Sequence, residues 1–229
     1  MNYIKSEQDQ MRSYLLLWLS QMISGLGSAM TAYALVVWSY TQSGSALRTA
    51  LLMVSSYAPY VLCSIFAGAL SDRWNKKKTM LVCDTLAALS TLVVLILLKS
   101  ENLRIWHLYI INAVSGLMNT VQQPASEVAT TALLPKRLYQ KVGGLRYLSS
   151  SLNSILTPIL TAAVMGLWEI DAVIGIDLAS FLIAFIVLLC FIQIPQVGEG
   201  SQKESILKSA AEGIHWLGQN PGIDRKSVV

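Results

Sequence analysis

Six stretches of this chain are each long and apolar enough to cross a bilayer as a helix, and no other feature limits the fold so tightly. A helix needs about 20 largely apolar residues to span the hydrocarbon. The stretches run from Ser13 to Tyr40, Ala46 to Leu70, Thr79 to Leu98, Ile105 to Leu133, Val142 to Leu167 and Ala172 to Ile194. The polar turn Thr41-Gln-Ser-Gly-Ser closes the first run, and Pro135 and Pro195 stop the fourth and sixth. Only 13% of residues are charged, against about 25% in soluble domains. These features predict an all-α membrane protein, a bundle of six transmembrane helices with the lipid bilayer as its first partner.

The charge that remains is unevenly placed. Thirteen lysines and arginines lie at the N-terminus, in the even-numbered connections and after the sixth run; three lie in the odd-numbered connections, and Arg146 falls within a run. Basic connectors stay on the cytoplasmic side, so both termini are expected in the cytoplasm. The same placement explains the net charge of +4 without a nucleic-acid partner. Cys63, Cys83 and Cys190 all sit in apolar runs, as packing residues rather than a disulfide framework. The organisation expected is a cytoplasmic start at 1–12, a membrane bundle at 13–194 and a cytoplasmic stretch at 195–229. In that last stretch Ile206, Ala210, Ile214 and Leu217 share one face of an amphipathic helix over 203–218. It ends with no seventh span, as the front part of a longer sequence would.

The densest charge lies between the second and third runs, in Gly68-Ala-Leu-Ser-Asp72-Arg73-Trp-Asn-Lys76-Lys77-Lys78. A charge at the bilayer centre costs about 2.5–3.5 kcal/mol on insertion scales, which keeps such a cluster outside the hydrocarbon. That accounts for the lysines, but not for Gly68 four residues before Asp72. The order resembles the signature of the major facilitator superfamily, G-x-L-A-D-R-x-G-R-K, with Ser71, Asn75 and Lys76 departing from it. Three further segments are similar to the bacterial multidrug and macrolide-type efflux branch: Leu17 to Ser24, Asp177 to Phe181, and Glu212 to Leu217 with Asn220-Pro221. The resemblance implies the N-terminal half of a twelve-span transporter, built of two inverted three-helix repeats. It assigns Gly68, Asp72, Arg73, Lys76 and Lys77 to a motif controlling conformation. It also implies proton-coupled export of amphipathic or apolar drug-like compounds such as macrolides from the cell membrane, with the missing half or a second copy completing the carrier. Antiporters of the family carry G-x-x-x-G-P-x-x-G-G in the fifth span; here Asn153-x-x-x-Thr157-Pro158-x-x-Thr161-Ala162 keeps only the proline.

Two spans carry polar stripes at steps of three and four. Gln21, Ser24, Ser28 and Thr31 mark the first; Asn112, Ser115, Asn119 and Gln122, continuing to Ser126, mark the fourth. Inverted repeats make these spans equivalents and place substrate near the midplane, so both stripes are candidates for a substrate cavity. Hydrogen bonding between membrane helices, worth about 0.6–2 kcal/mol each, explains the smaller residues equally well. Tyr14, Trp18, Trp38, Tyr40, Trp106 and Trp168 lie near span ends, and most read as interfacial anchors.

Ionisable residues inside spans are costly and default to functional candidates. Asp84, Glu127 and Arg146 stand at similar depth and are expected to form one compensated network near the charged turn. Asp177 has no basic residue at matching depth, and is the candidate proton site. Its alternative is an acid that merely links helices. Other classes fare worse. An intramembrane serine protease would need a nucleophile motif facing a histidine, and Asn112-Ala-Val-Ser115-Gly116 with His107 and His215 does not supply one. No catalytic residue, metal site or cofactor is expected. Uptake of a small neutral solute and a non-transporting half-length chain remain as alternatives.

Overall fold

The computed structural model describes residues 7–134 and 138–192, with side chains for all but 7–10, 65–73, 140 and 141. The expected amphipathic helix at 203–218, the stop at Pro195 and the side chains of Asp72 and Arg73 lie outside the described residues, as do the surroundings of Gly68. The described chain is helical almost throughout: α1 (Glu7–Ser43), α2 (Ala46–Arg73), α3 (Lys76–Lys99), α4 (Ile105–Leu133), α5 (Tyr139–Leu167) and α6 (Ile170–Ile186), the last continued by a π-helical turn, Val187–Phe191. Five are long and apolar enough to cross a membrane. α4, read from the sequence as an apolar run, falls short of that apolarity because amides and hydroxyls crowd its middle.

Short connections force consecutive helices to run antiparallel. Gly44 takes φ +59°, a left-handed conformation open to glycine, and its N–H reaches the Tyr40 carbonyl at 2.9 Å. Ser45 then caps α2, accepting from the Arg48 N–H at 3.4 Å. Between α2 and α3, Asn75 accepts from the Lys78 N–H at 3.1 Å. The asparagine that departs from the family signature thus serves as an N-cap.

Packing follows a repeat. α2 lies chiefly on α4 and α5 on α1; α1 packs on α6 and α3 on α4; α3 and α6 meet each other. Exchanging α1 with α4, α2 with α5 and α3 with α6 returns the same pairings, as two inverted three-helix units require. At the lysine-rich end, Leu17, Met80, Ala125, Ala129, Leu133, Leu188 and Ile192 form one apolar core. At the opposite end, Leu52, Val94, Leu103, Leu108 and Ile174 form another.

Two glycines permit the closest approaches. A Cβ on Gly116 would meet the Ser56 carbonyl of α2, and one on Gly27 would meet the Ser180 hydroxyl and stand 3.0 Å from the Asp177 Cα on α6. Small residues at such crossings let membrane helices reach van der Waals contact. Gly116→Ala should therefore destabilise the bundle by about 1–3 kcal/mol, the usual cost of overpacking. Gly143→Ala, which has open space around it, should keep or raise the thermal unfolding midpoint in detergent, because alanine suits a helix better than glycine.

Candidate functional site

Between the two apolar cores lies a cleft of about 380 Å³. All eight stripe residues, Gln21, Ser24, Ser28 and Thr31 of α1 and Asn112, Ser115, Asn119 and Gln122 of α4, line it, together with Asp84 of α3 and Asp177 of α6. Each stripe follows from helical periodicity: steps of three and four keep side chains on one face, and the two faces look toward each other. Among the described residues, no lysine, arginine or histidine lines the cleft.

Cores at both ends leave a side opening. Gly25, Ser28 and Ala32 on α1 and Asn119 on α4 are exposed, so the mouth lies between α1 and α4. Ser56 of α2 flanks one side of it, and Asn153 of α5, whose amide stands 3.9 Å from where a Gly25 Cβ would lie, flanks the other. A second groove of about 520 Å³ runs along α2, α4 and α5 and shares Asn119 and Gln122 with the cleft. On its wall the Tyr60 hydroxyl donates to the Gln123 Oε1 at 2.9 Å, a pair that sequence spacing did not reveal.

The carboxylates are held by neutral donors. Gln122 Nε2 donates to Asp84 Oδ1, and Gln21 Nε2 stands 3.5 Å from Asp84 Oδ2. Ser28 donates to Asp177 Oδ1 at 2.9 Å, and Thr91 lies 3.5 Å from Asp177 Oδ2. Asp177 is only 3% exposed. Thr91 stands two turns beyond Asp84 on the same face of α3 and so shares the cleft with it, a placement that a lone threonine in an apolar run does not signal.

The expected three-residue network divides. Arg146 and Glu127 form an ion pair at 3.0 Å with both side chains about half exposed, 50% and 48%. Asp84 does not join them: it turns into the cleft, where glutamines of α1 and α4 solvate it, while Arg146 lines the groove along α2, α4 and α5. Of the motif residues, Lys76 is buried. Lys77 donates to the Leu189 carbonyl at 2.9 Å and to the Ile192 carbonyl at 2.7 Å, satisfying acceptors that the end of a helix leaves free. At the opposite ends of the same two helices Lys99 faces Asp171 at 3.9 Å. Tyr14, expected as an interfacial anchor, is buried at 1% exposure, whereas Tyr40, Trp106 and Trp168 are exposed. His107 accepts from the Arg104 N–H at 3.0 Å, an N-terminal capping contact of α4.

The family model of the Major Facilitator Superfamily matches residues 17–220. Macrolide efflux protein A of Streptococcus pyogenes is 26% identical over 209 residues, covering 90% of this chain and 51% of that protein. Macrolide efflux protein A of Enterococcus faecalis is 28% identical over 182 residues, covering 79% of this chain and 56% of that protein. An uncharacterized transporter from Bacillus subtilis, YfiS, is 25% identical over 208 residues, covering 88% of this chain and 48% of its own length. The chain spans about half the length of these curated relatives.

Half-exposed ion pairs are worth about 0–1 kcal/mol, because water screens them and two long side chains must be held still. A double-mutant cycle on Glu127→Gln and Arg146→Gln should give a coupling of about 1 kcal/mol or less in unfolding stability.

Proposed function

The chain belongs to the major facilitator superfamily, and on that premise we propose that it forms one six-helix lobe of a proton-coupled exporter of amphipathic or apolar compounds of the macrolide kind. The observation that carries this reading is the similarity to macrolide efflux proteins along 79–90% of the chain. The cleft is compatible with it. Its walls carry amides, hydroxyls and apolar side chains, with two carboxylates and no cation, which suits neutral or positively charged guests and disfavours anions.

In this reading the lobe sits in the cell membrane with both termini in the cytoplasm, where the lysine-rich turn would also lie. A second six-span half, or a second copy, would cover the α1–α4 mouth, and substrate would enter between the two lobes. Gly68, Asp72, Arg73, Lys76 and Lys77 would govern the switch between states. The contacts of Lys77 with the end of α6 support that role by joining the motif turn to a helix that carries a cleft carboxylate. Asp177 would bind the coupling proton.

Cells expressing the protein should accumulate at least twofold less radiolabelled macrolide than control cells, and an uncoupler should abolish the difference. Equal accumulation, with the protein present at the membrane, overturns export. Export by Asp177→Asn that matches the unsubstituted protein across a pH series would remove Asp177 from the coupling. With the native cysteines replaced by serine, Glu169→Cys should react with an impermeant maleimide outside intact cells and Trp74→Cys should not; the reverse pattern inverts the topology.

A further inference from the structure

Gln21, Ser24, Ser28 and Thr31 recur at one constant sequence offset as Asn112, Ser115, Asn119 and Gln122, and Asp177 follows Asp84 at nearly that offset. The packing exchanges the same helices, α1 with α4 and α3 with α6. The two carboxylates are therefore counterparts in the inverted repeat, and their surroundings agree. Asp84 takes a hydrogen bond from Gln122 of α4. The α1 residue at the offset of Gln122 is Thr31, 5% exposed, whose hydroxyl is buried beside Asp177.

Two helices fix the spacing between the acids. On α3, Asp84 and Thr91 are seven residues apart, and Thr91 reaches Asp177. On α1, Gln21 and Ser28 are also seven apart; the first faces Asp84 and the second donates to Asp177. Seven residues of helix measure about 10 Å. Ser24, Ser90, Ser115 and Asn119 line the space between. A water takes about 30 Å³ of liquid, so a cleft of about 380 Å³ can hold a hydrogen-bonded file.

We propose that Asp84 is a second proton-binding carboxylate, the repeat-related partner of Asp177, and that water in the cleft passes a proton between the two. The step balances without any other reactant. A proton leaves the Asp177 carboxyl to the nearest water, each water in the file forms one O–H bond as it breaks another, and the last delivers a proton to the Asp84 carboxylate. Asp177 is left ionised and Asp84 neutral, with the net charge of the cleft unchanged. Because apolar cores close both ends, protons enter and leave by the α1–α4 mouth. The proposal rests on the reading of Asp177 as a proton site and extends it.

Other titratable groups near these helices are few among the described residues. Cys83 adjoins Asp84, and toward the opposite end the Lys99–Asp171 pair lies beyond Asp177. Tyr14 and Arg146 line the neighbouring groove that shares Gln21, and Tyr57, Tyr60 and Arg146 the one that shares Gln122; the guanidinium is held on Glu127. None of them lines the cleft. Two charges about 10 Å apart in a protein-like dielectric change each other's proton affinity by about tenfold, and the effect is reciprocal.

Aspartate-selective 13Cγ NMR of the protein in lipid vesicles reads this without substrate. Two resonances, assigned by their loss in Asp84→Asn and Asp177→Asn, should titrate. In each single variant the remaining midpoint should move by about tenfold in proton concentration, and Asp84→Glu or Asp177→Glu should restore the coupling. An Asp84 resonance that does not titrate while the protein stays folded, or midpoints that differ less than twofold between variant and parent, overturns the relay. If an Asn variant fails to fold, loss of a resonance in Asp84→Glu or Asp177→Glu assigns it among the six aspartates: coupled biphasic curves for both in the parent support the proposal, and an Asp84 resonance that does not titrate overturns it. Macrolide export plays no part in the readout, so absent export with coupled titration would sink the exporter alone, and export without coupled titration the relay alone.

Discussion

Hydrocarbon offers no hydrogen bonds, so every polar group that enters it must find a partner inside the protein. The rest of this structure depends on that constraint. The polar residues of α1 and α4 are not spread around their helices but drawn to facing sides, where they can serve one another, the two carboxylates and water. The apolar residues displaced from those sides collect at the two ends, as the cores around Met80 and around Leu108. A polar middle between two greasy ends is what a helical bundle in lipid becomes when it must keep acids at mid-depth.

The inverted repeat gives that arrangement its regularity. Lys77 and the carbonyls at the end of α6 join α3 to α6 at one end, and Lys99 with Asp171 faces across at the other. α2 and α5 are carried on α4 and α1 respectively, their outer faces rich in exposed aliphatic and tyrosine side chains. The central four helices thus enclose the polar space, and the other two flank its mouth.

Much of this was legible in the residue order. Span number, the short connection between the second and third spans and the periodic stripes are local properties, set by helix geometry and hydropathy, and they need no tertiary information. The eight stripe residues could be grouped because one helical face repeats every three or four positions. Partners across helices could not be read. Asp84, Glu127 and Arg146 share a depth in the sequence, yet depth does not say which way a side chain turns around its helix axis, and Asp84 turns inward to two glutamines. Thr91 was overlooked because one threonine in an apolar run has no signature until its neighbour on another helix is known. Tyr14 was misjudged because an aromatic near a span end is buried or exposed according to what packs on it, here Leu134 and Val142.

The polarity of α4 reaches back to how such a chain is made. A segment that partitions poorly into lipid by itself must leave the insertion machinery already in company. Its two main packing partners, α2 and α3, are the helices synthesised just before it, and only a brief connector separates it from α3. Nascent-chain order therefore delivers those partners at the moment they are needed, and the helix with amides across its middle need never meet the acyl chains alone.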